Sequence, residues 1–312
     1  MIYFAPIQGF TDYIFRKTYS EVFEGVDAYF VPYITVQSSE ILRKYEREIL
    51  PENNLQEKVV PQILAKDESE VGFLLSVLKS YGYSEVNLNM GCPYPMVTNR
   101  GRGAALLEKP EVLREILAYA FSEFNLKLSV KLRAGMTEPD QIQQIIPVLN
   151  EFPLKEVILH PRVAKQLYKG EIFELAFETA TRQLEHQLVY NGDIFTLEDF
   201  QQRSVQFSEI SDWMLGRGVL MNLFLPAEIK GSRFSEEEKR GRLLQFHKTI
   251  LDLHLQHADN PGNALNKLKQ FWIYFSHHFT DKAKIYKKIR KLKKVEELNI
   301  LSGRVIQNES LN

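Results

Sequence analysis

The sequence predicts an α/β fold, a (β/α)8 TIM barrel, followed by a small all-helical C-terminal domain. Three observations predict it. Eight short apolar runs recur between Ile2 and Gly216, amphipathic segments separate them, and polar residues or glycines stand where each run ends. Several runs are almost continuously hydrophobic, as parallel strands covered on both faces are. An open doubly wound sheet shares that alternation. The polar run ends favour the barrel, whose enzymes gather their sites at one rim.

The expected strands, in order, are IYFAP (2–6), AYFVP (28–32), VVPQIL (59–64), EVNLNM (85–90), LKLSVKL (126–132), EVILH (156–160), LVYNG (188–192) and DWMLG (212–216). Among the intervening segments, Glu68–Ser80 spaces Val71, Leu74, Leu75 and Leu78 as one helical face. Pro110–Phe124 does the same with Val112, Leu113, Ile116, Leu117 and Ala120, and Pro110 suits a helix start. From Ser235 no strand-like run remains. Three candidate helices follow: EEEKRGRLLQFHKTILDLHLQHA (236–258), ALNKLKQFWIYFSHHF (264–279) and KAKIYKKIRKLKKVEEL (282–298). The catalytic barrel is therefore assigned to 1–234 and the helical domain to 235–312, with the join near Gly231.

Composition narrows the class. With 44% hydrophobic and 25% charged residues, the chain reads as an ordinary globular protein. A single cysteine excludes an internal disulfide and points to a reducing compartment. The start, MIYFAPIQGFTDYIFRK, has too short an apolar run for a secretory signal, and no stretch approaches the ~20 apolar residues of a membrane span. A soluble cytoplasmic protein without membrane partners is expected. The net charge of −1 hides an asymmetry. From Glu236 onward fifteen basic residues face nine acidic ones, whereas the preceding part has twenty-four against thirty-one. The tail is expected to meet something anionic.

The one thiol, Cys92, lies in NLNMGCPYPMVTNRGRGAALL (87–107), on a loop punctuated by Gly91, Pro93 and Pro95 just past a strand. A thiol there can act as nucleophile, metal ligand or proton donor. No second cysteine or HxxH pair supports a metal. A proton donor needs the neutral thiol, which a reference pKa near ~8.5 provides. YNGDIFT (190–196) and MLGRGVL (214–220) follow the seventh and eighth strands, where phosphate-binding barrels hold their anion. Arg217, between two glycines, adds a charged fork. Lys131 near the end of strand five can serve as a Schiff-base amine or as a charge beside an anionic cofactor ring. His160 is the one histidine at an expected strand end, and His254 and His257 read as a solvated helix face. The segment 282–294 holds eight basic residues among thirteen, with Ile285, Ile289 and Leu292 as a narrow docking stripe.

These motifs in order, APIQGFTDYIFR (5–16), NLNMGCPYPMV (87–97), GAALL (103–107), SVKLRAG (129–135), HPRVAKQLYKG (160–170), NGDI (191–194) and MLGRG (214–218), resemble the tRNA-dihydrouridine synthases. These are flavin-dependent enzymes with a barrel and a helical domain. The resemblance implies an FMN whose phosphate is held around Asn191, Gly192, Asp193, Gly216 and Arg217. Pro6, Ile7 and Gln8 would pass near its ring, with Gln62, Lys131 and His160 at its polar edge or tail. NADPH, or NADH, would reduce the flavin, hydride would pass to C6 of a uracil, and Cys92 would protonate C5. Asn89 and Arg162 would help hold the base, and Lys287, Lys288, Arg290 and Lys291 would grip tRNA phosphates. No structural metal is implied, and a monomer is expected. The chain departs from the family pattern at Ala5-Pro6-Ile7, at His160-Pro161-Arg162 (which removes the amide after His160) and at NLFLP (222–226). Two alternatives stay open: dihydrouridine synthesis in ribosomal RNA, and a flavin oxidoreductase acting on a small free pyrimidine.

Overall fold

The structure, a computed structural model, describes residues 1–37, 40–54, 58–258 and 260–312. The chain divides into two compact units interleaved in sequence. Met1–Gln8, Asp27–Gly192 and Phe207–Leu215 form the first; Gly9–Val26, Asp193–Gln206 and Gly216–Asn312 form the second. The longer helices are α1 Tyr13–Val22, α2 Glu68–Ser80, α3 Pro110–Glu123, α4 Ile142–Asn150, α5 Glu174–Gln183, α6 Leu197–Gln206, α7 Glu236–His257, α8 Pro261–Phe275, α9 Lys282–Ile289 and α10 Val295–Asn308.

In the first unit eight parallel strands close a ring. They are β1 Ile2–Phe4, β2 Ala28–Phe30, β3 in two pieces (Val59–Val60 and Gln62–Ile63), β4 Glu85–Met90, β5 Lys127–Gly135, β6 Glu156–Val163, β7 Gln187–Tyr190 and β8 Asp212–Leu215. Val59–Val60 pairs with β2 and Gln62–Ile63 with β4, so the broken strand joins the two ends of the sheet. Pro61 makes the break because it has no N–H for the ladder; its carbonyl still accepts from the Asn87 amide at 2.9 Å. Tyr3, Phe30, Val60, Ile158, Val189 and Met214 pack in one buried cluster contributed by six of the strands. The expected eight strands are all present, and the expected (β/α)8 barrel is the fold. Two of them run further than their apolar patterns suggest: β5 reaches Gly135 and β6 reaches Val163. Pro161 is tolerated inside β6 because the β5–β6 register shifts between Arg133 and Gly135, beside it.

The helices of this unit follow their stripes. Asp67 caps α2 by accepting from the Glu70 amide at 2.9 Å, and Val71, Leu74, Leu75 and Leu78 are buried. Helix α3 starts at Pro110 and buries Leu113, Ile116, Leu117 and Ala120.

The second unit is helical. Ser235 and Glu238 form a reciprocal capping box that starts α7. Helix α1 packs on α7 through aromatic rings: Phe15 meets Phe246 edge-on at 5.4 Å between centroids, and Phe23 meets it at 5.3 Å. Phe271, Trp272 and Phe275 of α8 are buried as core. The third candidate tail helix is corrected by the structure into two, α9 and α10. A helix continued through Arg290, Lys291, Lys293 and Lys294 would stack like charges at helical spacing. Instead the chain restarts at Val295, with Glu296 and Glu297 in the first turn of α10. Among the described residues no helix is long and apolar enough to cross a membrane.

Two histidines of this unit are buried as neutral acceptors. His247 accepts from the Trp272 indole N–H at 3.0 Å, and His278 from the Leu223 amide at 3.4 Å. Burial pushes His247 down to about 4 and His278 to about 3. The unfolded chain binds these protons near ~6.5, so it gains protons first as pH falls and the fold loses stability progressively below that value. The melting temperature is therefore expected to drop steadily from pH 6.5 towards pH 4. His247→Gln, which keeps an acceptor for the indole, is expected to flatten the drop in thermal melts.

Candidate active site

Four buried polar side chains in the first unit form a continuous chain of hydrogen bonds. Asn87 and Asn89 alternate along β4 and so share a face, and Gln62, which begins the second piece of β3, pairs beside Asn87. The Asn87 amide donates to Ser129 Oγ at 2.8 Å, Gln62 Nε2 donates to Asn87 Oδ1 at 2.8 Å, and Asn89 Nδ2 donates to Gln62 Oε1 at 2.7 Å. Asn89 Oδ1 then accepts the backbone N–H of Gly91 and of Cys92 at 3.0 and 2.9 Å. Asn89 thus shapes the cysteine loop. Its oxygen is occupied, and one amide hydrogen is left for a ligand.

Cys92 departs from expectation. A thiol on a Gly/Pro loop is expected to stand open, but Cys92 is only 8% exposed and packs with Leu64, Val97 and Tyr33. The following segment folds back over it. A Cβ at Gly103 would lie 2.8 Å from the Cys92 carbonyl oxygen and 3.0 Å from its Cβ, and the Ala104 amide donates to that carbonyl at 3.1 Å. Gly103 also has φ +62°, so glycine is required there twice over. Burial pushes the thiol above its ordinary value; the Tyr94 N–H, the Tyr33 hydroxyl and the Arg133 charge oppose the shift. The resting thiol is neutral, and its conjugate thiolate has two donors and a cation already in place.

Lys131 lies beside Asn89 in the β4–β5 register. Burial, with the Arg133 charge adding to it, pushes its ammonium down to about 7. Neither Lys131 nor Arg133 has a carboxylate partner among the described residues. Arg133 ties the loop to the barrel, donating from Nε to Gly91 O at 3.0 Å and from Nη1 to Val163 O at 2.9 Å, with its guanidinium 5.3 Å from the Tyr168 ring centre. His160 stacks on the other partner of this group, Tyr168, at 6.3 Å. Arg162 is buried, with Nη1 at 3.4 Å from His160 Nε2 and Nη2 donating to Gly170 O. Tyr33, Arg133 and Tyr168 were not among the expected site residues. Arg133 had a signal, being two positions beyond Lys131 on the same strand face; the two loop tyrosines had none.

The remaining expected residues are placed as follows. Pro6 and Ile7 are half-buried after β1, and Gln8 is exposed. Asn191 is buried and donates to Met214 O at 2.8 Å, and a Cβ at Gly192 would meet the Tyr190 hydroxyl at 2.3 Å. Within the second unit, Arg217 pairs with Asp193 at 2.8 Å and lies 5.2 Å over the Phe195 ring. Gly216 precedes the short helix Arg217–Met221. Lys287, Lys288, Arg290 and Lys291 are exposed, while Ile285 and Ile289 of their stripe are buried.

The donor set around Lys131 suits an electron-accepting planar group. It offers a cation with no carboxylate of its own and spare amide hydrogens on Gln62 and Asn89, with a neutral acid close by on the Asn89 loop.

Comparison with known proteins bears on the fold and the family. Among solved structures, a variant of NCR from Zymomonas mobilis has a TM-score of 0.51 at 16% identity, over 75% of this chain and 88% of that one. A morphinone reductase structure has a TM-score of 0.51 at 9% identity, over 75% and 86%. At such identities the likeness speaks for the barrel fold alone. In sequence, the chain is 25% identical to the tRNA-dihydrouridine(16) synthase of Cupriavidus necator over 97% of this chain and 96% of that one. It is 24% identical to the probable tRNA-dihydrouridine synthase 2 of Bacillus subtilis over 95% and 91%. A tRNA-dihydrouridine(47) synthase-like protein of Arabidopsis thaliana is 26% identical over 62% of this chain, which spans 29% of that longer protein. The family model described as Dihydrouridine synthase (Dus) matches residues 3–309, and with so nearly complete a match the chain belongs to the dihydrouridine synthase family.

Proposed function

We propose that this protein reduces specific uridines of tRNA to 5,6-dihydrouridine, with FMN as cofactor and NADPH or NADH as reductant. The observation that carries the proposal is the family match over residues 3–309, together with Cys92 buried on the loop after β4, where burial pushes its thiol up. Reduced FMN, when bound, supplies a hydride to uracil C6. Cys92 completes the addition: its S–H bond breaks, a C–H bond forms at C5, and the thiolate is held by the Tyr33 hydroxyl, the Tyr94 N–H and the Arg133 charge. Lys131 balances negative charge on the cofactor ring. Gln62 and His160 contact the ring's polar edge, with Pro6, Ile7 and Gln8 alongside it. Asn191, Gly192, Asp193, Gly216 and Arg217 are candidates for its phosphate. Asn89 offers its free amide hydrogen to the uracil, and Arg162, with Nη1 3.4 Å from His160 Nε2, helps hold the base. The base must leave its stack to reach the thiol, and Lys287, Lys288, Arg290 and Lys291 hold the RNA by its phosphates.

Mass spectrometry of unmodified tRNA after incubation with the protein, FMN and NADPH tests the whole proposal, and a gain of two hydrogens at one uridine is expected. No gain, with the flavin bound and reduced, would move the substrate to ribosomal RNA or a free pyrimidine.

Cys92→Ala is expected to keep the bound flavin and its reduction by NADPH while losing nearly all product. Tyr33→Phe removes one charge-assisted hydrogen bond from the thiolate. It is expected to slow product formation about tenfold and to shift the pH profile of Cys92 alkylation by iodoacetamide upward. Neutralising Lys287, Lys288, Arg290 and Lys291 together is expected to weaken tRNA binding and flatten its salt dependence in titrations at several ionic strengths.

A further inference from the structure

The loop that carries Cys92 goes on to line a second concave site. An open cavity of about 620 Å³ has Lys66, Arg100, Arg102 and Lys109 on its wall, with Asp67 as the one carboxylate among the described residues that line it. The sequence before Glu236 has more acids than bases, so four cations around one acid run against their surroundings. Two of them are committed internally. Arg102, 8% exposed, grips Glu70 through Nε at 2.8 Å and through Nη2, and Lys66 Nζ pairs with Asp67 at 3.0 Å. Arg100 and Lys109 are exposed and have no carboxylate partner among the described residues.

Gly101, at φ +74°, lets the loop bring these groups together. A Cβ there would lie 3.7 Å from Lys109 Nζ and 3.8 Å from Lys66 Cβ. Two residues later Gly103 packs directly on Cys92, so cavity and thiol share one stretch of backbone. An RNA that delivers a base to Cys92 brings the phosphates flanking that nucleotide with it. A backbone phosphodiester carries one negative charge shared by two acceptor oxygens, which an arginine fork and a lysine point charge match well.

We propose that this cavity binds a backbone phosphate of the RNA beside the target nucleotide, through Arg100 and Lys109. Lys66 and Arg102 are its structural supports. The inference rests on the reading of RNA as substrate, and it gives the barrel unit a grip on the RNA that the basic tail does not provide. The reductant also carries phosphates, so the test measures both ligands.

The full-length, flavin-loaded Arg100→Gln/Lys109→Gln variant is titrated with unmodified tRNA at several salt concentrations, and its KM for NADPH is measured alongside. The tRNA Kd is expected to weaken about tenfold and the slope of log K against log salt to fall by about one, the loss of one phosphate contact. The KM for NADPH and the thermal melt stay as in the wild type. Arg100→Glu is expected to weaken tRNA binding more than Arg100→Gln. An unchanged tRNA Kd and salt slope overturns the proposal, as does equal binding by the Glu and Gln variants. A raised KM for NADPH with unchanged tRNA affinity overturns it in favour of the dinucleotide. Wild-type protein that neither binds nor modifies tRNA defeats the functional reading and this site together; wild-type activity with unaltered variant affinity defeats this site alone.

Discussion

The hydrogen-bond chain from Ser129 through Asn87, Gln62 and Asn89 to the Cys92 amide orders everything else at the barrel mouth. Each carboxamide has a donor end and an acceptor end, so the direction of one dictates the next. For Asn89 to present its oxygen to the loop, Gln62 must turn its own oxygen towards Asn89 and its nitrogen towards Asn87. Ser129 closes the far end by accepting. Flipping a single amide would face oxygen against oxygen in a place where an orphaned polar group costs about 1–3 kcal/mol. The chain therefore couples the register of β3, β4 and β5 to the shape of a loop that belongs to none of them.

On that loop, burial and hydrogen bonding pull the thiol in opposite directions, and the balance suits an acid. Desolvation keeps the proton on sulfur at rest, while Tyr33, Tyr94 and Arg133 lower the cost of giving it up. Lys131 shows the same economy of charge. Its ammonium sits where burial and Arg133 disfavour it, so an anion arriving at the barrel mouth would find a cation ready to be stabilised.

The strands were legible because parallel barrel strands are buried on both faces and read as apolar runs. Pro61 lay inside an expected strand and marks its break at the ring's closing seam, whereas the expected sixth strand stopped before Pro161, which the structure accommodates at a register shift. The split of the basic tail was hidden because Ile285, Ile289 and Leu292 continue a helical stripe straight towards the break, and periodicity takes no account of lysine repulsion. The grouping of α1 with the C-terminal helices was equally hidden, since nothing in the spacing of Phe15, Tyr19 and Phe23 says which neighbour their face packs on. At the site, Cys92, Lys131 and His160 stood out because reactive or charged groups at strand ends are costly to keep without a use. Their surroundings did not. Gly91 and Pro93 announce a loop, but only the three-dimensional fold reveals that Gly103 returns to cover it.

That cover has a consequence for the protein's durability. Peroxides and other oxidants attack the thiolate form of cysteine and need access to it. Here the sole cysteine is both shielded by Val97 and Leu64 and held protonated. As the proposed proton donor, it would become a thiolate only on handing its proton to a substrate base lying over it. Burial thereby shields the thiol proposed to donate the proton from oxidants in the resting protein.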